Sequence, residues 1–492
     1  MKRYRLLARL APLAATGALS ACAVGPNYVP PASASLAVPA NYVAAVNPSQ
    51  ASDADLAQWW QSFDDPVLSD LVVRALAANP NVDVAGARLR QARASLISAR
   101  SSLFPTLSTS GSASRSEQVA GGGSIIDPTT GVVYSRSQGG QTSFRAGLDA
   151  AYEVDLFGGI SRSVEAARAD VGGAVASLHS AQLSVAADTA SNYISARSAQ
   201  ARLAIARSNL AYQDETVEIV GWRVQAGLVS SLDLEQARAL RAQTAASIPA
   251  LETSYTSAVN AIAILLGQAP GAVTALIDPV KPIPLAPDGI PTGLPADLLT
   301  RRPDVVSAER SLAAATARIG VAEADLYPAL RLTGSLTGSG ASLGGIDDSV
   351  IGTLLASISA PIFQGGQIRA QIESAKGDAD AAFGTYRQTV LTALGEVENA
   401  LTSNTNSRRR EVELVRAEEA SRNATLYARS QYRAGLIDFQ QLLESERSLL
   451  SSQDSRATAR ADRANASVQL YRALGGGWQG APEPATAMRG TD

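Results

Sequence analysis

From Phe144 onward apolar and polar residues alternate: Phe144, Ala146, Leu148, Ala150, Tyr152 and Val154 interleave with Arg145, Gly147, Asp149, Ala151, Glu153 and Asp155. A period of two predicts a β-strand with one apolar and one polar side over residues 144–155. The same period runs over 106–117, where Leu107, Thr109, Gly111 and Ala113 oppose Ser108, Ser110, Ser112 and Ser114. It returns over 329–338, with Leu330, Leu332, Gly334 and Leu336 opposite Arg331, Thr333, Ser335 and Thr337, and less cleanly over 352–361. A Gly-rich stretch, Gly121-Gly122-Gly123 and then Asp127-Pro128, separates the first two strands. Each strand pair is followed by a proline-free helical segment, 161–224 and 368–433. At about 1.5 Å per residue each can reach on the order of 95 Å. Each ends at an Ala-Gly-Leu turn, where Gly suits a left-handed cap, and a shorter helix returns over 232–266 and 439–474. Helical patterns at 66–102, interrupted near Asn79-Pro80, and at 303–326 have the length to complete each column.

The chain repeats itself. Leu103-Phe104-Pro105-Thr106-Leu107 returns as Leu326-Tyr327-Pro328-Ala329-Leu330, and Leu156-Phe157-Gly158-Gly159 as Ile362-Phe363-Gln364-Gly365-Gly366. Pro105 to Pro328 is 223 residues, Gly159 to Gly366 is 207, and Gly227 to Gly435 and Gly267 to Gly475 are each 208. The near-constant spacing after the Gly-Gly pair suits helices, where one inserted residue rotates every later side chain by about 100°. The length difference falls between the Pro motif and the Gly-Gly motif, a segment that must contain a tolerant loop. A repeat of nearly half the chain is one structural unit used twice. The organisation expected is a first repeat at 59–267, a Pro-rich connector at 268–302 running over the surface, a second repeat at 303–475 and a disordered tail at 476–492.

The N-terminus changes the picture. Lys2, Arg3, Arg5 and Arg9 precede a short apolar stretch, Leu10 to Ala18, and Leu19-Ser20-Ala21-Cys22 follows. This is an export signal over 1–21, too short for a stable membrane helix. Residues 22–58, rich in Pro, Ala and Ser, read as an extended leader. Among 492 residues Cys22 is the sole cysteine, which excludes an internal disulfide. The box around it resembles the cleavage site of bacterial lipoproteins. That resemblance implies N-palmitoyl and S-diacylglycerol groups on Cys22, and Ala23 in place of Asp implies sorting to the outer membrane. A net charge of −3 gives no sign of a nucleic-acid surface. No later run of 18 apolar residues exists, so no helical membrane span is expected.

Four amphipathic strands of about ten residues match the length of a tilted barrel strand in a bilayer. Four strands cannot close a barrel, and an open edge in lipid leaves backbone groups unsatisfied. The chain must therefore borrow strands, and three copies supply twelve, enough for a polar lumen. The fold class expected is a mixed α and β membrane protein built from two internal repeats.

Several segments resemble the outer-membrane factors, the TolC-like exit ducts, and in particular the NodT-type lipoprotein branch. Trp59-Trp60-Gln61-Ser62-Phe63-Asp64-Asp65-Pro66-Val67-Leu68 is similar to the family's opening signature. The most specific match is Arg302-Pro303-Asp304-Val305 with Ala308-Glu309-Arg310, then Ile319-Gly320-Val321-Ala322 and Tyr327-Pro328. Gly227 to Asp233 and Leu442 to Leu450 resemble the two helix-tip motifs. The resemblance implies a homotrimer with a twelve-stranded outer-membrane β-barrel continuous with a long periplasmic α-helical barrel. It implies a passive conduit docked on a periplasmic adaptor (membrane fusion) protein and an inner-membrane pump, of the resistance-nodulation-division type in most lipoprotein members. The cargo expected is drugs or small toxic compounds. The alternatives are an exit duct for type I protein secretion and, in a different class, a non-conducting, lipid-anchored periplasmic structural protein.

Candidate chemistry is electrostatic rather than catalytic. The sole histidine, His179, lies in a long helix without partners for zinc. Gly334, Gly338, Gly340 and Gly344 lack the dinucleotide spacing and follow a strand into a loop. Arg408-Arg409-Arg410 with Glu411 and Glu413 reads as a solvated helix face. No enzyme, metal site or cofactor beyond the covalent lipid is expected. Glu444 stands where the family usually carries an aspartate, so three copies would form a carboxylate ring favouring cations. Gln440, one turn earlier, adds a polar ring on the same face. Asp233 either pairs with Tyr432 or Arg433 to latch the mouth or only caps the return helix. Gly227, Leu228, Ser230, Gly435 and Leu436 are the expected adaptor-docking positions.

Overall fold

In the computed structural model, residues 23–44, 56–117, 124–135 and 140–482 are described. Cys22 and the export signal lie outside them, as do residues 483–492 of the tail. The chain divides into two units. The first takes residues up to Val29, Ala92–Val171 and Ser311–Ala382, and the second takes Pro30–Gln91, Gly172–Arg310 and the remainder from Phe383.

The first unit holds a four-stranded antiparallel sheet. Its strands are β1 (Thr106–Ser116), β4 (Gln141–Val154), β5 (Ala329–Gly340) and β6 (Ser349–Ser359), in the order β1-β4-β5-β6. Its register is what the alternation requires. Leu107, Ala150, Gly334 and Leu354 stand opposite one another, as do Thr109, Leu148, Leu336 and Gly352. Directly opposed residues share a face, so the apolar stripes of all four strands fall on one side. The other side carries rows such as Ser108, Asp149, Ser335 and Thr353, and Ser110 donates its hydroxyl to Asp149 at 3.1 Å. Two short strands in the loop between β1 and β4, β2 (Ser124–Ile126) and β3 (Val133–Ser135), form a hairpin that the Gly-rich stretch hid.

Where β4 leaves the sheet the chain turns into a helix. Asp155 accepts hydrogen bonds from the backbone of Ile160 and Ser161, at 3.1 and 2.8 Å, and so satisfies amides at the start of that helix. Phe157 stacks on Tyr327 with ring centroids 4.6 Å apart. These are the aromatic positions of the two repeated motifs.

The helices are α1 (Pro66–Ala78), α2 (Pro80–Ser101), α3 (Gly159–Gln225), α4 (Ser231–Leu265), α5 (Pro303–Ala324), α6 (Gln367–Arg433) and α7 (Phe439–Ala473). The twin lengths of α3 and α6, and of α4 and α7, restate the duplication in structure. Among the described residues no helix is long and apolar enough to cross a membrane.

In the second unit a core forms where the segments between helices fold inward. Trp59, only 1% exposed, stacks on Tyr471 at 5.2 Å. Asp65 caps α1 by accepting from Val67 N–H and also takes the hydroxyl of buried Tyr193 at 2.7 Å. Arg302, from the Arg-Pro-Asp motif, is buried, bonds Asp304 and Glu396 at 2.6 and 2.7 Å, and donates to the Ala473 carbonyl. The motif is therefore a structural joint.

Four readings need correction. The segment 268–302 does not merely run over the surface: Ile277, Ile283 and Leu298 are buried, and Arg197 donates to the carbonyls of Ile277 and Pro279. The tail is packed through its described part, with Trp478 stacked on His179 at 4.2 Å and donating its indole N–H to the Arg301 carbonyl. The leader is not uniformly extended, for Ser33–Leu36 form a 3-10 turn and Leu36 and Tyr42 are buried. Glu411 is not solvated, being 6% exposed and paired with Arg463 at 2.7 Å.

Candidate functional site: the helix tips

The candidate site lies at the ends of α3 and α6, where both twin helices stop in the same way. The Gly227 amide donates to Val224 O and the Leu228 amide to Arg223 O; the Gly435 amide donates to Tyr432 O and the Leu436 amide to Gln431 O. This double bond pattern is the Schellman motif, which needs a left-handed residue after the helix. Gly227 and Gly435 supply it with φ of 71° and 75°. Leu228 and Leu436 are thereby thrust outward, 72% and 75% exposed. The two leucines thus stand at equivalent positions of the two repeats.

Each return helix starts on its own cap. Ser230 accepts from Leu232 N–H at 3.1 Å, and Asp233 accepts from Ser230 N–H at 3.2 Å, a reciprocal capping box. Asp438 caps α7 by accepting from Gln441 N–H at 2.9 Å. Asp233 therefore caps its helix, and within the chain it does not latch onto Tyr432 or Arg433. Those two residues are engaged elsewhere. Tyr432 is 4% exposed, packs edge-on against Phe439, and lies under the Arg223 guanidinium at 4.5 Å. Arg433 pairs with Glu215 at 3.1 Å.

The turns stand on an apolar cluster of Val220, Ala237, Leu240, Ala428, Tyr432, Phe439, Leu442 and Leu443. All four helices α3, α4, α6 and α7 contribute, so the tip is one packed block. Arg223, on α3, donates to the carbonyls of Tyr432 and Arg433 at the end of α6. It satisfies carbonyls that a helix end leaves open and places a cation at the negative end of the helix dipole.

One residue of this block was not anticipated. Glu446 is 3% exposed, yet its carboxylate receives Arg429 at 3.1 Å and the Thr216 hydroxyl at 3.4 Å, and Arg429 also lies over the Tyr212 ring at 4.4 Å. Burial pushes the Glu446 carboxyl above the ordinary value, and the charge of Arg429 opposes that push. The signal was present in the sequence: Glu446 occupies the inward stripe set by Leu442, Leu443 and Leu449, where only a partnered charge is stable. Gln440 and Glu444 are both exposed and four residues apart on α7, hence on one face. Among the described residues no group of His, Cys, Asp and Glu is arranged to hold a metal.

A two-faced sheet with long twin helices and capped tips is the form of an outer-membrane channel subunit. Over residues 71–268 and 294–476 the chain matches the outer membrane efflux proteins, and it belongs to that family. It is 35% identical to nodulation protein T of Rhizobium leguminosarum bv. viciae, covering 99% of this chain and 96% of that one. It is 34% identical to the pyoverdine export outer membrane protein OpmQ of Pseudomonas putida, over 86% of this chain and 88% of that one. The solved outer-membrane channel OprN superposes with a TM-score of 0.82 at 38% identity, covering 93% of this chain and all of that one. The protein is thus an outer-membrane component of an efflux system, and it extends into the periplasm.

Proposed function

We propose that three copies of the chain close a twelve-stranded β-barrel in the outer membrane, continued by a periplasmic α-helical barrel, and act as a passive exit duct without a catalytic centre. The observation that carries this reading is the sheet. Its apolar face is open to solvent, with Leu107, Leu354 and Ile358 at least 70% exposed, and β1 and β6 each pair on one side only among the described residues. Such a face is stable in lipid, and such edges are stable there only when paired. Lipid on Cys22 anchors the chain beside the barrel. A periplasmic adaptor docks on the Gly227–Leu228, Ser230 and Gly435–Leu436 turns, and an inner-membrane pump of the resistance-nodulation-division type delivers the cargo. Small molecules are the cargo class that fits, and OpmQ, a protein of pyoverdine export, supports it. Reconstitution into planar bilayers tests the duct: stepwise conductance is expected, and a silent bilayer with inserted protein would contradict it.

Two predictions concern the tips. Replacing Gly227 and Gly435 by Val forces a β-branched residue into the left-handed region, at about 1–2 kcal/mol each, and distorts both leucine turns. Crosslinking of the adaptor and drug tolerance should fall together, whereas full tolerance at normal expression would remove the turns from docking. Glu444→Ala should abolish block of the channel by divalent cations, because three exposed carboxylates at one level attract cations. Unchanged divalent sensitivity in single-channel recordings would exclude Glu444 from the mouth.

A further inference from the structure

The first described residues of the leader are held in the first unit by a built receptor. Arg162 is 5% exposed and donates to the Val24 carbonyl at 3.1 Å, the Gly25 carbonyl at 3.2 Å and the Asn27 side-chain oxygen at 2.8 Å. Its remaining partner is Glu165 at 2.8 Å. The Val24 amide donates to the Phe157 carbonyl at 3.1 Å. Backbone meets backbone on both sides of this contact. A Cβ on Gly25 would lie 2.4 Å from Gly320 Cα, and one on Gly158 would lie 2.8 Å from Ala23 Cα. Gly25 and Gly158 also have φ of 89° and 81°, where a side chain is strained.

A solvent-exposed tether needs none of this. A buried arginine is stable only when its donors are taken, and here two backbone carbonyls and a side-chain oxygen of the leader take them. The seat also adjoins the chain's passage from sheet to helix, since Phe157 follows β4 and stacks on Tyr327 ahead of β5.

We propose that Arg162, with the notch formed by Gly158 and Gly320, is a seat that fixes residues 23–27 to the base of the sheet, so that this short stretch of the leader sets where the lipid anchor joins the channel. The role in anchoring rests on the proposed lipidation of Cys22; the seat itself does not. Arg162 is a positioning residue, acting on the membrane attachment only through the leader.

A nitroxide attached at exposed Pro26 of the full, detergent-solubilised protein through a ketone-bearing residue, so that the thiol of an unacylated Cys22 takes no label, reads the seat. An immobile spectrum is expected without further substitution. Arg162→Ala should shift the seated-to-free ratio by about tenfold or more, the scale of one lost charged hydrogen bond. Arg162→Lys should restore part of the immobile signal. Gly320→Val, whose Cβ would lie 2.9 Å from Arg162 Cγ and 3.0 Å from the Val24 carbonyl oxygen, should displace both sides of the contact and mobilise the label as well. A mobile label in the otherwise unchanged protein, or an immobile one in both Arg162→Ala and Gly320→Val, would overturn the seat. The mass of the N-terminal peptide from the same sample tests the lipid separately: an unacylated peptide with an immobile label overturns the lipid reading and leaves the seat standing.

Discussion

Leu354→Arg is expected to abolish stable insertion into the membrane, while Thr353→Arg one position away is tolerated. Leu354 is 88% exposed and lies in the row with Leu107, Ala150 and Gly334 on the apolar face of the sheet. Thr353 lies in the row with Ser108, Asp149 and Ser335, facing the other way. An arginine facing lipid near the bilayer midplane costs about 2–4 kcal/mol, and one facing the lumen costs little. In the proposed trimer the penalty would reach about 6–12 kcal/mol per assembly, comparable to the whole stability of a typical folded domain. The check is a comparison of heated and unheated migration in detergent gels, together with flotation of the protein in liposomes. Leu354→Arg should lose the heat-modifiable band and sediment, and Thr353→Arg should keep both properties. Equal behaviour of the two variants would mean that the faces are not lipid and lumen.

The second large effect is expected at the tip. Arg429→Ala leaves the Glu446 carboxylate buried beside Thr216 and Leu443 without its countercharge. Breaking a buried pair in this way costs about 3–5 kcal/mol, enough to open the tip locally without unfolding the sheet. The pH dependence has a definite sign. The folded-state pKa of Glu446 lies above its ordinary value. Its contribution to stability is therefore complete below the unfolded pKa and is lost as pH rises through the folded one. Without Arg429 the folded pKa rises further, so the damage should be greatest at neutral pH and relieved as the carboxylate takes a proton in acid. Hydrogen exchange of the Val220, Tyr432 and Leu443 amides reports this directly. Exchange in Arg429→Ala should be fast at neutral pH and slower, after correction for intrinsic rates, near the carboxylate range. Glu446→Gln, which removes the charge and keeps the shape, should be milder. Exchange equal to that of the unsubstituted protein at neutral pH would show that the pair does not hold the tip.

What was legible in the sequence, and what was not, follows from the range of the forces involved. The strands and their faces were legible because burial of one side imposes a period of two, and a slip of one residue in register would turn Leu354 or Leu336 to the polar side. The turns at Gly227 and Gly435 were legible because a left-handed cap leaves glycine as the common solution. The family-like motif Arg302-Pro303-Asp304 stood out, but its work as a buried joint to Glu396 and Ala473 depends on partners far away in the chain. The same distance hid the packing of Trp478 on His179 and the burial of Ile277 and Ile283 in a proline-rich connector. Closely spaced prolines break up regular helix but place no limit on burial. For Asp233 two readings competed; within the chain it forms the capping box with Ser230, three residues away, while Tyr432 and Arg433 meet Arg223 and Glu215. Glu446 was passed over because charge on a helix is ordinarily solvated, and only the surrounding leucine stripe marks it as inward.

The number of chains in the detergent-solubilised particle bears most directly on the whole account. Native mass measurement should give three copies of the chain, with the β signal of a closed sheet in circular dichroism. A stable particle of one copy that retains the four-stranded sheet would contradict it, because the free edges of β1 and β6 would then be tolerated in an apolar environment.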